Sequence, residues 1–233
     1  MRSVQDLDRP PFTLRAQIIT PLSAGGTRHI ADALVEVDTN GKLARVEPWP
    51  ADSPATAKDT VVDLRPMVVL PGLIDLHAHL PQLPNAGLGA GLDLLTWLQR
   101  YIFPLENGFD ADAARKLAPL AFRAFAAAGT TTALLYGAVF EASLDASFAA
   151  AEEHGIRLVL GKVMMDRLRY DASIDDKEVL DASLAQSQRL IERWHGVDRG
   201  RLRYAVTPRF AVSCTMDMLR ESAALAAATG AYW

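Results

Sequence analysis

Two of the chain's five histidines, His77 and His79, stand in the string PGLIDLHAH, directly after a run of apolar residues typical of a buried strand. Alternate residues of a strand project to the same side, so this spacing sends both imidazoles out together at the strand's C-terminal end. Neutral imidazole is a zinc ligand, and two on one side supply half of a tetrahedral site. Two ligands do not make a site, and histidines that only hydrogen-bond explain the same pair equally well. What separates the two readings is the architecture around the pair and the residues it brings to face them.

From Met67 onward, short apolar runs alternate with helical patterns. VVLPGLIDLH, TTALLYGAV, RLVLGKVMM and RLRYAVTP are rich in Val, Leu, Ile or Thr, as parallel strands covered on both faces are. The helical stretches carry their own punctuation. Asp110 caps one that ends at Gly129, and Ser143 to His154 stops before Gly155. Lys177 to His195 carries Leu180, Leu184, Ile191 and Trp194 on one face and stops before Gly196, while Thr215 caps a last helix ending at Gly230. Pro119 predicts a kink in the first of these, or its division in two. Such alternation defines an α/β fold on a parallel sheet, with ligands at the C-terminal ends of the strands. A closed barrel takes eight units and roughly 250 residues. Residues 67–233 hold four units and, in AYW, the start of a fifth strand, so the chain reads as the first half of a (β/α)8 barrel.

Residues 1–66 read differently, as the N-terminal part of a small β-sandwich. FTLRAQIIT, ALVEV and LARVE are short strands, and Asn40-Gly41 between the last two predicts a hairpin with a type I′ turn. Asp52 to Thr60, polar and containing Pro54, reads as a loop. Acidic side chains number 28 against 24 basic, which gives no electrostatic case for nucleic acid or an anionic membrane. One cysteine, Cys214, allows no intrachain disulfide, the start MRSVQDLDRPPF lacks the regions of a signal peptide, and no apolar run is long enough to span a bilayer. These features are read as those of a cytoplasmic protein.

The string VVLPGLIDLHAHLPQ, following a small β unit, resembles the first barrel strand of the amidohydrolase superfamily of metal-dependent hydrolases. Further strings occur in the same order as in the guanine deaminases of that superfamily: DLLTWLQRYIFPLE, AAGTTTALLYG, GKVMMD, RLIERWHG and RLRYAVTPRFA. The resemblance implies that His77 and His79 are the first two metal ligands, with one zinc per subunit and iron suited to the same ligands. It implies that Gln82 faces the substrate, that Arg209 and Phe210 meet a purine base, and that Trp97 is a candidate for the pocket wall. Guanine offers a carbonyl acceptor and a ring N–H donor on one edge, which a Gln amide and an Arg fork can satisfy, and a flat face for an aromatic ring. Taken alone, Arg209 is explained as well by a surface salt bridge, Phe210 by core packing and Trp97 by helix packing.

The implied reaction is the hydrolysis of guanine to xanthine and ammonia by a homodimer. A third His, a proton-shuttling Glu, a further His and an Asp would all follow Trp233, so no catalytic acid or base is assigned within this chain and the chain alone is expected to be inactive. Two alternatives stand beside this reading: a related aminohydrolase acting on another amino-heterocycle, such as a pterin or triazine, and a truncated, non-catalytic partner of an intact subunit. Lys162 and Cys214 are read as structural, as are His154 and His195 at helix ends, and Asp75 as a residue that could orient the site without ligating.

Overall fold

The computed structural model describes residues 7, 9–51, 61–171 and 173–233. The loop expected over Asp52 to Thr60 lies outside the described residues. The chain divides into two compact units, Met1–Pro71 and Gly72–Trp233.

The first unit holds one four-stranded sheet in the order β3-β2-β1-β4, formed by β1 (Phe12–Pro21), β2 (Thr27–Val37), β3 (Leu43–Pro48) and β4 (Val61–Val69). Alternation along β1 and β2 buries Leu14, Ala16, Ile18, Ile30, Ala33 and Val35 against Val62 of β4. The β2–β3 hairpin forms, but not through a type I′ turn. The Gly41 N–H bonds the Asp38 carbonyl at 3.0 Å, so the turn centres on Thr39 and Asn40, neither of which has positive φ, and Gly41 follows it at φ +74°. The Asp38 carboxylate accepts the N–H groups of Asn40 and Lys42 at 2.8 and 3.0 Å, which draws one more residue into the loop and leaves Asn40 in an ordinary conformation. β4 also runs further than the sequence pattern suggests. Val68 and Val69, read as the start of the first barrel strand, pair with Gln17 and Ile18 of β1, which moves the boundary between the units from 66–67 to Pro71–Gly72.

The second unit is a parallel sheet in the order β5-β6-β7-β9, built from β5 (Leu73–His79), β6 (Thr130–Tyr136), β7 (Arg157–Gly161) and β9 (Leu202–Tyr204). A second parallel pair, β8 (Val163–Met164) with β10 (Thr207–Pro208), continues the third and fourth of these past an interruption. The two chains come close together at this interruption. A Cβ on Gly161 would lie 1.8 Å from the Thr207 hydroxyl oxygen and 2.3 Å from the Ala205 carbonyl oxygen, so these chains approach closely only because residue 161 has no side chain. Beyond β9, Tyr232 bridges Ala205 in parallel, on the text read as the start of a fifth strand.

Helices cover this sheet. Short helices α1 (Leu94–Trp97) and α2 (Phe103–Asn107) flank a π-helical turn at Leu98–Ile102. They are followed by α3 (Ala111–Ala127), α4 (Glu141–His154), α5 (Val179–Trp194), the single turn α6 (Val197–Gly200) and α7 (Met216–Thr229). Asp110 and Thr215 cap α3 and α7 by accepting from the N–H groups of Ala113 and Met218. Pro119 does not divide α3. Ala114, Ala118, Ala121 and Phe122 form one buried stripe running past the proline, and packing of that stripe holds both halves in a single helix. On α5 the most buried positions are Val179, Ser183, Ser187, Leu190 and Ile191, with Leu180, Leu184 and Trp194 only partly buried at the margin. Ser187 explains the difference, since its hydroxyl accepts a hydrogen bond from the buried Tyr204 hydroxyl at 3.1 Å.

Candidate active site

Every side chain singled out for metal or substrate lines one cleft of about 530 Å³ at the C-terminal end of the sheet: His77, His79, Gln82, Trp97, Arg209 and Phe210, together with Ala78, Leu94, Leu98 and Tyr136. His77 and His79 end β5, and Gln82 follows in the 3-10 turn Leu80–Asn85. Trp97 ends α1. Arg209 and Phe210 follow β10, and the Arg209 N–H bonds the Met164 carbonyl at 3.0 Å, which fixes where its side chain sets out.

The two imidazoles stand edge to face with ring centroids 5.4 Å apart. A ring bound through nitrogen holds its centroid roughly 3.2 Å from the ion, so two rings at a tetrahedral angle stand about 5 Å apart, and the pair fits one metal ion. His79 lies flat on Tyr136 of the neighbouring strand, at 4.4 Å between centroids and 11° between planes. Its Nδ1 is buried without a hydrogen-bond partner and lies 3.6 Å from Glu106 Oε1. Among the described residues no group of three or more His, Cys, Asp or Glu side chains could enclose a metal. The Asp75 carboxylate accepts the backbone N–H of His77 at 3.0 Å.

Glu106, on α2, is the residue the sequence reading passed over. Its side chain is fully buried beneath the cleft. Oε1 accepts from Gln82 Nε2 at 2.8 Å, and Oε2 takes a charge-assisted hydrogen bond from Arg209 Nη1. Burial alone would push its carboxyl up, but the hydrogen bonds from Arg209 and Gln82 and the nearby His79 imidazole outweigh that and hold it below the ordinary value. Arg209 is itself buried, 5.2 Å above the Phe103 ring, so its partner is no surface carboxylate. The signal for Glu106 was the last letter of FPLE, written in a segment that otherwise reads as helix packing.

Trp97 both lines the cleft and packs. Its Nε1–H donates to the Leu88 carbonyl at 2.9 Å, and its ring fills the space over Gly89, where a Cβ would meet Trp97 Cδ1 at 2.5 Å and φ is +77°. Phe210 packs partly on Leu98, Ile102, Phe103, Val163 and Met165. Tyr136, also unmarked in the sequence, is brought to the site by register, since β6 pairs it with His79. Lys162 and Cys214 are buried away from the cleft, with Cys214 Sγ on the Met164 carbonyl and its thiol pushed up by burial.

A strand-end histidine pair and polar side chains gathered at the C-terminal face of a parallel α/β sheet are features of the metal-dependent hydrolases. The family model for the amidohydrolase family matches residues 68–233, and the chain belongs to that family. Among its relatives are the guanine deaminase of Escherichia coli strain K12, 38% identical over 199 residues, and the probable guanine deaminase of Deinococcus radiodurans, 40% identical over 200. Each alignment takes in 84% of this chain and 44% of the relative. The crystal structure of a guanine deaminase from C. acetobutylicum with guanine bound in its active site superposes with a TM-score of 0.82 at 26% identity, over 95% of this chain and 52% of that one. The chain thus spans about half the length of the proteins it matches. Among the described residues, no helix is long and apolar enough to cross a membrane.

Proposed function

We propose that this chain is the N-terminal part of a zinc-dependent guanine deaminase, with the remaining metal ligands and the proton-shuttling Glu following Trp233. The observation that carries the reading is the convergence of His77 and His79 with Gln82, Arg209 and Phe210 on one cleft. When bound, zinc, or iron on the same ligands, lowers the pKa of a water molecule toward neutrality and so supplies the nucleophile. His77 and His79 hold that ion. Gln82 presents an acceptor, and Arg209 presents the guanidinium N–H groups not used by Glu106, to the carbonyl and ring N–H edge of guanine. Phe210 packs on the purine face, and Trp97 and Leu94 wall the cleft against water. The whole protein acts on free purine base as a cytoplasmic homodimer and has no role at nucleic acid or membrane.

The test is ammonia release by the full-length protein over a panel of guanine, a pterin and an aminotriazine. Guanine should be preferred by at least about a hundredfold in kcat/KM, because a pocket built to pair polar groups rejects analogues that leave them unpaired. Equal or better turnover of the pterin or triazine would move the assignment to a related aminohydrolase.

A further inference from the structure

We propose that Glu106 is a positioning residue that fixes the tautomer of His79, holding the proton on Nδ1 and leaving Nε2 as the nitrogen for a metal. This rests on the reading that His79 is a metal ligand, and names the residue that makes it one. A neutral imidazole carries its proton on only one of two nitrogens, and the hydrogen bond made by one decides the state of the other. Tyr136 sets the plane of the His79 ring, which lies on it at 4.4 Å between centroids and 11° between planes. A half-turn about the Cβ–Cγ bond leaves that stack intact, so stacking decides neither which edge faces inward nor where the proton sits.

Glu106 decides both. His79 Nδ1 is buried without a hydrogen-bond partner, and Glu106 Oε1 lies 3.6 Å from it, so a shift of roughly half an ångström makes the approach a hydrogen bond. Glu106 is held in turn by Gln82 Nε2, which donates to Oε1 at 2.8 Å, and by Arg209 Nη1, which donates to Oε2 from a guanidinium that keeps its proton. A carboxylate paired in this way is an anion and only accepts. A bare Nδ1 would set its lone pair against that of Oε1 in a buried place, so the edge facing Glu106 carries the N–H. Nε2 is then bare, the state in which imidazole binds a metal, and a carboxylate behind the ring is the usual partner of such a ligand. The amide introduced by Glu106→Gln reverses the arrangement. Arg209 only donates and claims the amide oxygen, which turns the new NH2 toward Gln82 and His79. Gln82 answers by turning its amide end for end. An imidazole nitrogen that faces NH2 has to accept, which moves the His79 proton to Nε2, the atom a metal needs bare.

The experiment uses the full-length protein with isotopically labelled histidine, stripped of metal, at a pH where imidazole is neutral. Nitrogen NMR separates protonated from bare ring nitrogens, and His79→Gln identifies the His79 signals by their loss. The wild type should carry the His79 proton on Nδ1, and Glu106→Gln should carry it on Nε2. Zinc affinity, measured by competition with a chelator, should fall about ten- to a hundredfold in that variant. If Glu106 only packs, both proteins show the same tautomer, which overturns the proposal, as does a wild-type His79 protonated on Nε2. Should Glu106→Gln fail to fold, Glu106→Leu with Arg209→Met removes both buried charges together and carries the test. With no acceptor behind it, His79 should then no longer be held with its proton on Nδ1, and a His79 still held so overturns the proposal. Failure of the wild type to bind zinc is a different result, which removes the metal reading and leaves the tautomer measurement standing.

Discussion

His79 rests flat on Tyr136 across the β5–β6 ladder, with 4.4 Å between ring centroids. Aromatic pairs of this kind contribute about 0.5–1.5 kcal/mol beyond the area they bury. Tyr136→Leu should therefore weaken zinc retention by the full-length protein about two- to tenfold, while Tyr136→Phe keeps it. Competition against a chelator of known affinity measures this, and equal retention by the Leu variant would mean that the stack does not orient the ligand.

Arg209 and Glu106 behave as one unit, since both are buried and each satisfies the other. Removing one partner of a buried pair leaves the other charge uncompensated, at a cost of about 3–5 kcal/mol. Arg209→Ala should lower both kcat/KM for guanine, by more than about tenfold, and the unfolding midpoint. Gln82→Leu should lower kcat/KM with a much smaller loss of stability. Denaturant titration beside kinetics separates the two, and a fully stable Arg209→Ala would show that Glu106 finds another partner.

Burial pushes the Lys162 ammonium down to about 8 from 10.5, with Glu141 and Asp171 only partly opposing it. Its Nζ donates to the Val163 carbonyl at 3.4 Å. Below pH 8 both folded and unfolded chains carry the charge, and the folded one bears the burial cost in full. Between pH 8 and 10.5 the unfolded chain binds more protons, so this contribution to stability rises with pH. Lys162→Met should stabilise by a few kcal/mol at pH 7, and the gain should fade toward pH 10.5. A gain that does not change with pH would show that burial leaves the Lys162 pKa where it is in the unfolded chain.

Residues whose roles follow from local pattern were legible in the sequence. The period of a strand puts His77 and His79 on one side, and the caps Asp110 and Thr215 and the stops at Gly155 and Gly230 follow from backbone chemistry within a few residues. Glu106 was not legible, because its meaning comes from partners 24 and 103 positions away along the chain. Tyr136 likewise acquires its role only through register with another strand. Two smaller departures have local causes: Asp38 captures backbone N–H groups and alters the hairpin, and pairing with β1 draws Val68 and Val69 out of the barrel strand.

Among the described residues, strand β5 pairs on one side only, with β6, and leaves Leu73, Ile74 and Leu76 more than half exposed. Such an edge invites association. Met1–Trp233 expressed by itself should aggregate on standing, lose zinc on dialysis and leave guanine unchanged, whereas the full-length protein should do none of these. Light scattering and elemental analysis on both proteins check this, and guanine turnover by the short chain near the rate of the long one would show that the residues after Trp233 are not needed for catalysis.

The most direct measurement is guanine loss by absorbance together with bound zinc, on the same samples of full-length wild type and the His77→Ala, His79→Ala double variant. The wild type should consume guanine with about one zinc per subunit, and the double variant should lose both together. Undiminished guanine consumption by a double variant free of metal would contradict the assignment of His77 and His79 as ligands of a catalytic ion.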